Sequence, residues 1–141
     1  MRLGALDTNV IVSAGMRQDS APAKLVIDWI LEGQVQIVIS PRIATEYREV
    51  VTRAKFLRYK FPPFWLEYLI EESMHLPDPA PWPYGGPHGA DLPFLALANS
   101  AGAWLVTGNL KHFPAKTRGG VTVLSPADYL AHLERSEYPG L

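Results

Sequence analysis

Leu3-Gly4-Ala5-Leu6-Asp7-Thr8-Asn9-Val10-Ile11-Val12 is the stretch on which the reading of this chain turns. An apolar run that ends in an acid reads as a buried strand carrying a carboxylate to its carboxyl end. In open α/β sheets, ligands bind at that end. Burying an ionised carboxylate is costly unless a cation or several donors meet it. Asp7 therefore requires a partner, and the rest of the sequence can be searched for one.

Outward from this run, residues 13–22 read as a polar connection. Residues 23–33 read as a helix with Leu25, Val26, Trp29 and Ile30 on one face and Gly33 as its stop. Val35-Gln36-Ile37-Val38-Ile39 reads as a second buried strand, and Ser40-Pro41 as the N-cap and first residue of a helix. That helix carries Ile43, Tyr47, Val50, Val51 and Ala54 on its apolar face.

A third helix starts near Pro62-Pro63. Its apolar arc of Phe64, Trp65, Leu66, Tyr68, Leu69 and Ile70 is too wide for one core to cover easily. The arc predicts either a neighbouring helix of the same chain or a partner surface. Residues 77–90, rich in Pro and Gly around Trp82, Tyr84 and His88, predict a functional lid or an ordered strap. A buried helix over 91–101 leads to a strand at Ala103-Trp104-Leu105-Val106-Thr107 and a turn at Gly108-Asn109. Val121-Thr122-Val123-Leu124 reads as a further strand, and Ser125-Pro126 opens a last short helix. This alternation predicts a single α/β domain over 1–141, with a central parallel sheet of four to five strands flanked by helices.

Composition narrows the function. The net charge of −1 argues against broad binding to duplex DNA, which wants a basic surface. The absence of cysteine excludes disulfide frameworks, zinc–thiolate sites and thiol nucleophiles. No apolar run is long enough to cross a bilayer and the start of the chain does not read as a secretory signal, so cytoplasmic residence with no membrane partner is expected.

Three acids stand where an acid is surprising: Asp7 at a strand end, Glu46 at the border of a buried helix face, and Asp91 opening a nearly all-apolar helix. Asn109 follows a strand that ends at Thr107. Parallel strands would bring Asp7 and Asn109 to one end of the sheet, with Glu46 and Asp91 leaning over it. Three carboxylates within about 5 Å of each other repel by on the order of 10 kcal/mol at an effective dielectric of about 20, so such a site protonates or binds a cation. Oxygen ligands without cysteine favour Mg²⁺ or Mn²⁺. An ion held this way suits phosphodiester hydrolysis, because it activates water and neutralises charge on phosphate oxygens. Each residue also has a plainer use. Asp7 and Asp91 are suitable capping residues, Glu46 is within helical reach of Arg42 and Arg53, and Asn109 suits a turn. His75, His112 and His132 lack ligand spacing and carry no assigned chemistry; His88 reads as a loop residue.

The same pieces, in order, resemble the PIN domain, in particular the VapC-like PIN proteins that are toxin components of toxin–antitoxin pairs. The matching residues are Asp7-Thr8-Asn9-Val10, Pro41-Arg42-Ile43-Ala44-Thr45-Glu46, Asp91-Leu92-Pro93-Phe94-Leu95-Ala96-Leu97-Ala98 and Leu105-Val106-Thr107-Gly108-Asn109. The resemblance implies a three-layer PIN-like fold and a metal-dependent endoribonuclease that cleaves single-stranded RNA. It implies Asp7, Glu46 and Asp91 as ligands of Mg²⁺ or Mn²⁺, and Asn109 as a fourth catalytic position where many members carry Asp. Thr8, Asn9 and Thr107 match small polar residues that support the site. His88 stands where related sequences often carry an extra acid. Both departures remove negative charge and favour one bound ion over two.

Arg48, Arg53, Lys55 and Arg58, interleaved with Phe56 and Tyr59, and Lys111 beyond Asn109 would then serve RNA binding. An antitoxin protein or a second copy of the chain would take the wide apolar arc. The competing reading is a PIN-like module that holds RNA or a protein without cutting.

Overall fold

The computed structural model describes residues 2–17, 19–53, 65–86 and 88–137, with the side chains of residues 136 and 137 left aside. Five strands form one parallel sheet: β1 (Arg2–Leu6), β2 (Val35–Ile39), β3 (Met74–His75), β4 (Trp104–Val106) and β5 (Val123–Leu124). Their order is β3-β2-β1-β4-β5. The chain runs outward from β1 to β3, then returns to the other side of β1 for β4 and β5. Strand order thus reverses between β1 and β4, which pair in parallel with Ala5 opposite Leu105 and Leu6 opposite Val106. In open α/β sheets such a reversal opens a crevice at the carboxyl ends of the two strands. Asp7 and Thr107 are the residues that follow them.

Helix α1 (Thr8–Met16) starts directly after Asp7. It corrects the expectation of a polar connection beginning at Ser13. Val10, Ile11, Val12 and Ala14 are all buried, so the helix lacks the polar face that normally announces one. Helix α2 (Ala21–Lys24) is capped by Ser20, whose hydroxyl accepts from the Ala23 N–H at 3.3 Å. It continues as a wider π-helical turn, Leu25–Ile30, before β2. Helix α3 (Pro41–Val51) begins as its sequence indicates, with Pro41 in the first turn and the Ser40 hydroxyl accepting from Ile43 N–H at 3.4 Å. Ile43, Ala44, Tyr47 and Val51 are buried, while Glu46 is half-buried. Ala54 and the start of the expected third helix lie outside the described residues.

Helix α4 (Trp65–Glu72) buries Leu66, Leu69 and Ile70, and Trp65 packs partly against the chain's own core. Only Tyr68 of the described arc is truly open, at 53% exposure. Most of the width of that arc is therefore used within the chain. β3 escaped the sequence reading because it is two exposed residues long, too short to show a period.

Residues 77–86 form an ordered strap. Trp82 is buried and its indole N–H donates to the Thr117 carbonyl at 2.9 Å. The strap lies against Gly119, where a Cβ would stand 2.7 Å from Trp82 and 2.6 Å from Tyr84. Gly119 has φ 56°, so glycine serves there for both conformation and space. Helix α5 (Leu92–Ala101), entered through the 3₁₀ turn Gly89–Asp91, crosses β1, β2 and β4 and ends at Gly102 in the left-handed region. Helix α6 (Pro126–Glu137) closes the fold. Among the described residues no helix is long and apolar enough to cross a membrane.

Candidate active site

Asp7 is 5% exposed and sits at the head of α1, yet its side chain makes no capping hydrogen bond. Its Oδ2 instead accepts from the Thr107 hydroxyl at 2.8 Å and from the Asn9 amide at 3.2 Å. Burial pushes its pKa up from 3.8 to about 6; the Thr107 hydrogen bond opposes the rise, and the charges of Asp91 and Glu46 add to it. The charges of Asp91 and Glu46 thus reach Asp7, while the set of three potential ligand side chains that comes within 4.8 Å among the described residues is His88, Asp91 and His112. Among the described residues, no lysine or arginine forms an ion pair with any of them.

Thr107 is fully buried and organises the edge of β4. Its hydroxyl donates to Asp7 and accepts from the Asn109 backbone N–H at 3.0 Å. Asn9 ties the two strand ends together: its amide reaches Asp7, and its Oδ1 accepts from Gly108 N–H at 2.9 Å. A Cβ on residue 108 would stand 3.2 Å from Asn9 Oδ1, so the glycine permits that approach.

Glu46 does not pair with Arg42 or Arg53. Its Oε2 accepts from the Thr8 hydroxyl, which draws α3 to the first turn of α1. The neighbouring Tyr47 is fully buried and donates to the Leu6 carbonyl at 2.6 Å, one residue before Asp7. Burial, together with the charges of Asp7 and Glu46, drives the Tyr47 phenol far above its usual pKa, so it stays a donor.

Asp91 makes no capping hydrogen bond to α5. Its Oδ2 lies 2.7 Å from His112 Nδ1, and His112 Nε2 lies 2.7 Å from the Asn109 amide nitrogen. His88 stacks on His112 with ring centroids 3.8 Å apart and planes inclined by 20°. His112, to which the sequence assigned no chemistry, joins Asp91 to Asn109 by hydrogen bonds. Asp91 and His112 sit 21 positions apart, so helical or strand periodicity gave no warning; the nearest clue was the three-residue step from Asn109 to His112. Asn109 thus spends its amide on an imidazole and meets the acids through His112 and Thr107. A continuous chain of hydrogen bonds runs Asp7, Thr107, Asn109, His112, Asp91.

A cleft of about 380 Å³ opens beside these residues, lined by Arg42, Glu46, Glu49, Ala90, Pro93 and Phe94. Arg42 brings an exposed guanidinium to the cleft, a role its sequence position did not announce. Of the expected RNA contacts, Arg53 and Lys111 are exposed. Arg48 is taken up by a two-pronged pair with Glu67, Nε to Oε2 at 3.0 Å and Nη2 to Oε1 at 2.9 Å. That guanidinium holds the Glu67 carboxyl below its usual range. Lys55 and Arg58 lie outside the described residues.

A family model described as PIN domain matches residues 5–79, more than half of the chain. Comparison with curated proteins finds no match. Among solved structures, the fold is similar to the crystal structure of VapBC2 from Rickettsia felis bound to a DNA fragment from their promoter. That likeness has TM-score 0.61 and 18% identity, and covers 87% of this chain and 98% of that one. A second likeness, to FitAB bound to the IR36 DNA fragment, has TM-score 0.54 and 22% identity, covering 87% and 94%.

Proposed function

The chain belongs to the PIN domain family, and on that premise we propose that it is a Mg²⁺- or Mn²⁺-dependent endoribonuclease acting on single-stranded RNA, the toxin of a toxin–antitoxin pair. The observation that carries this reading is the buried Asp7 at the point where strand order reverses, coupled to Glu46 and Asp91 and without a basic partner among the described residues. Hard oxygen donors in that setting suit Mg²⁺ or Mn²⁺, and the three acids would hold the ion. Such an ion supplies activation of water and neutralisation of phosphate charge when bound.

The chain's own residues prepare the site. Thr107 and Asn9 both donate to Oδ2 of Asp7, which fixes the plane of that carboxylate. Thr8 fixes Glu46 against α1, and Tyr47 anchors α3 to the end of β1. These supports hold ligands at their working positions without input from the substrate. Arg42 would meet a phosphate of RNA lying in the cleft beside Glu46, and Arg53 and Lys111 would follow the strand outward.

An antitoxin partner fits the charge of the chain. A protein of net charge −1 is a poor duplex-DNA binder alone, whereas the VapBC2 and FitAB neighbours are seen on DNA fragments. A DNA-binding partner would supply that contact here, and exposed Tyr68 on α4 offers it an aromatic anchor.

The test is cleavage of unstructured RNA by purified protein in Mn²⁺, with EDTA and with Asp7→Asn as controls. Loss of the acid should lower the rate by roughly 10³-fold, about 4 kcal/mol of transition-state stabilisation. Equal cleavage by wild type and variant, or in EDTA, would remove the mechanism. RNA binding without cleavage by either protein would leave the non-cutting module as the function.

A further inference from the structure

We propose that His88, His112 and Asp91 form a second metal position beside the oxygen centre, suited to a divalent cation of the Zn²⁺ class. One potential ligand atom from each of the three lies within 4.8 Å of the other two. Ligands of a tetrahedral Zn²⁺, bonded at about 2.0–2.1 Å, stand about 3.3 Å apart. Asp91 Oδ2 and His112 Nδ1 stand closer, at 2.7 Å, in a hydrogen bond that would open by about 0.6 Å around an ion. His88 is exposed just before the Gly89–Asp91 turn, and its ring, stacked on His112, would have to tilt to bring a nitrogen to the ion.

His112 has a hydrogen-bond partner at each ring nitrogen. Its two nitrogens are distinguished by their partners: the Asn109 amide donates to Nε2, so the ring proton sits on Nδ1 and is donated to Asp91. A cation would take the place of that proton between Nδ1 and Oδ2, and the ring would stay neutral by carrying its proton on Nε2, with the Asn109 amide turned so that its Oδ1 accepts it. Asn109 would then orient the ring from behind, as outer partners of ligating histidines do. Thr107 accepts from the Asn109 backbone and fixes that residue in turn. Imidazole nitrogen favours Zn²⁺ over Mg²⁺, whereas Asp7 and Glu46 present oxygen alone. The crevice would therefore sort two cations by ligand chemistry across Asp91. The inference rests on the proposed nuclease centre only through that shared carboxylate.

The experiment uses the full chain without a histidine tag. Zn²⁺ and Mn²⁺ are titrated by calorimetry, and the imidazole nitrogens are followed by NMR with Zn²⁺ or Mg²⁺ added. Zn²⁺ should shift the ring nitrogens of His88 and His112, and Mg²⁺ should not. His88→Ala, which removes no hydrogen bond of the Asp91 network, should weaken Zn²⁺ at least tenfold while leaving Mn²⁺ affinity unchanged. Asp7→Asn should do the reverse, lowering Mn²⁺ affinity and keeping that for Zn²⁺ within about threefold. Unshifted imidazoles, or Zn²⁺ affinity unchanged in His88→Ala, overturn the proposal. Zn²⁺ lost together with Mn²⁺ in Asp7→Asn also overturns it, because the acids alone would then bind both ions. Intact Zn²⁺ binding in a chain that cuts no RNA in Mn²⁺ would sink the nuclease reading and leave this one standing.

Discussion

Asp7 and Asp91 are held in opposite ways. Asp7 is buried at the tip of the central strand and gripped by a threonine and an asparagine that are themselves fixed to strand ends. Asp91 is half-buried on a 3₁₀ turn, and its partner is an imidazole on a second such turn, Leu110–His112. One half of the crevice is buried, rigidly hydrogen-bonded and all oxygen; the other is more exposed and contains nitrogen. Burial raises the cost of charge, so the rigid half gains most from a hard cation. In the open half water solvates whatever is left unpaired, so charge there costs less.

The largest effect that tests this contrast is the pH dependence of stability. The folded-state pKa of Asp7 is raised from 3.8 to about 6, so the folded chain holds its proton more tightly than the unfolded chain. Its contribution to stability is fully present below pH 3.8 and is lost as pH rises through about 6. Ionising Asp7 should therefore cost about 3 kcal/mol by neutral pH. Urea unfolding in EDTA should show Asp7→Asn gaining on wild type from pH 4 upward and levelling off above pH 6, with no gain at pH 4. No gain of Asp7→Asn over wild type across this range would erase the distinction.

A middle-sized effect concerns the anchor of the rigid half. Tyr47→Phe leaves the buried Leu6 carbonyl without its phenol donor and should cost about 2 kcal/mol, read as a lower midpoint in urea. Mn²⁺ affinity should fall with it, since α3 carries both Tyr47 and Glu46. A stability loss with Mn²⁺ affinity intact would show that Glu46 is positioned by Thr8 alone. The smallest effect is expected on the solvated end of the same helix. Arg48 and Glu67 are both exposed, and Arg48→Ala should change stability by no more than about 0.5 kcal/mol, with the difference vanishing in high salt. A larger loss would mean that the pair helps hold α4 against α3.

Local chemistry made several of these features readable in the chain. Ser40-Pro41 states a helix start because a hydroxyl and a preset φ meet the first turn's unpaired N–H groups. Gly102 states a stop because it accepts a left-handed backbone. The strand from Leu3 to Leu6 and the acid after it were legible for the same reason: an unbroken apolar run has to be buried, and a charge at its end has to be met. Helix α1 was not legible, because its run of buried apolar residues Val10, Ile11 and Val12 leaves too little of a polar face to mark a helical period. His112 was not legible either, because its meaning lies in Asp91 and Asn109 rather than in its neighbours.

The sequence by itself determined the alternation of strand and helix, the three acids placed on apolar segments, and the resemblance that joins them to the PIN domain. Those are properties of short windows, where side-chain period, caps and turns act over a few residues. Only the tertiary structure decided which groups touch. The Thr107 hydroxyl meets Asp7 across 100 positions, Thr8 meets Glu46 across 38, and His112 meets Asp91 across 21. Such contacts follow from strand order and register, which place the ends of β1 and β4 side by side. That order is set by packing of the whole core, and no local stretch of the chain encodes it.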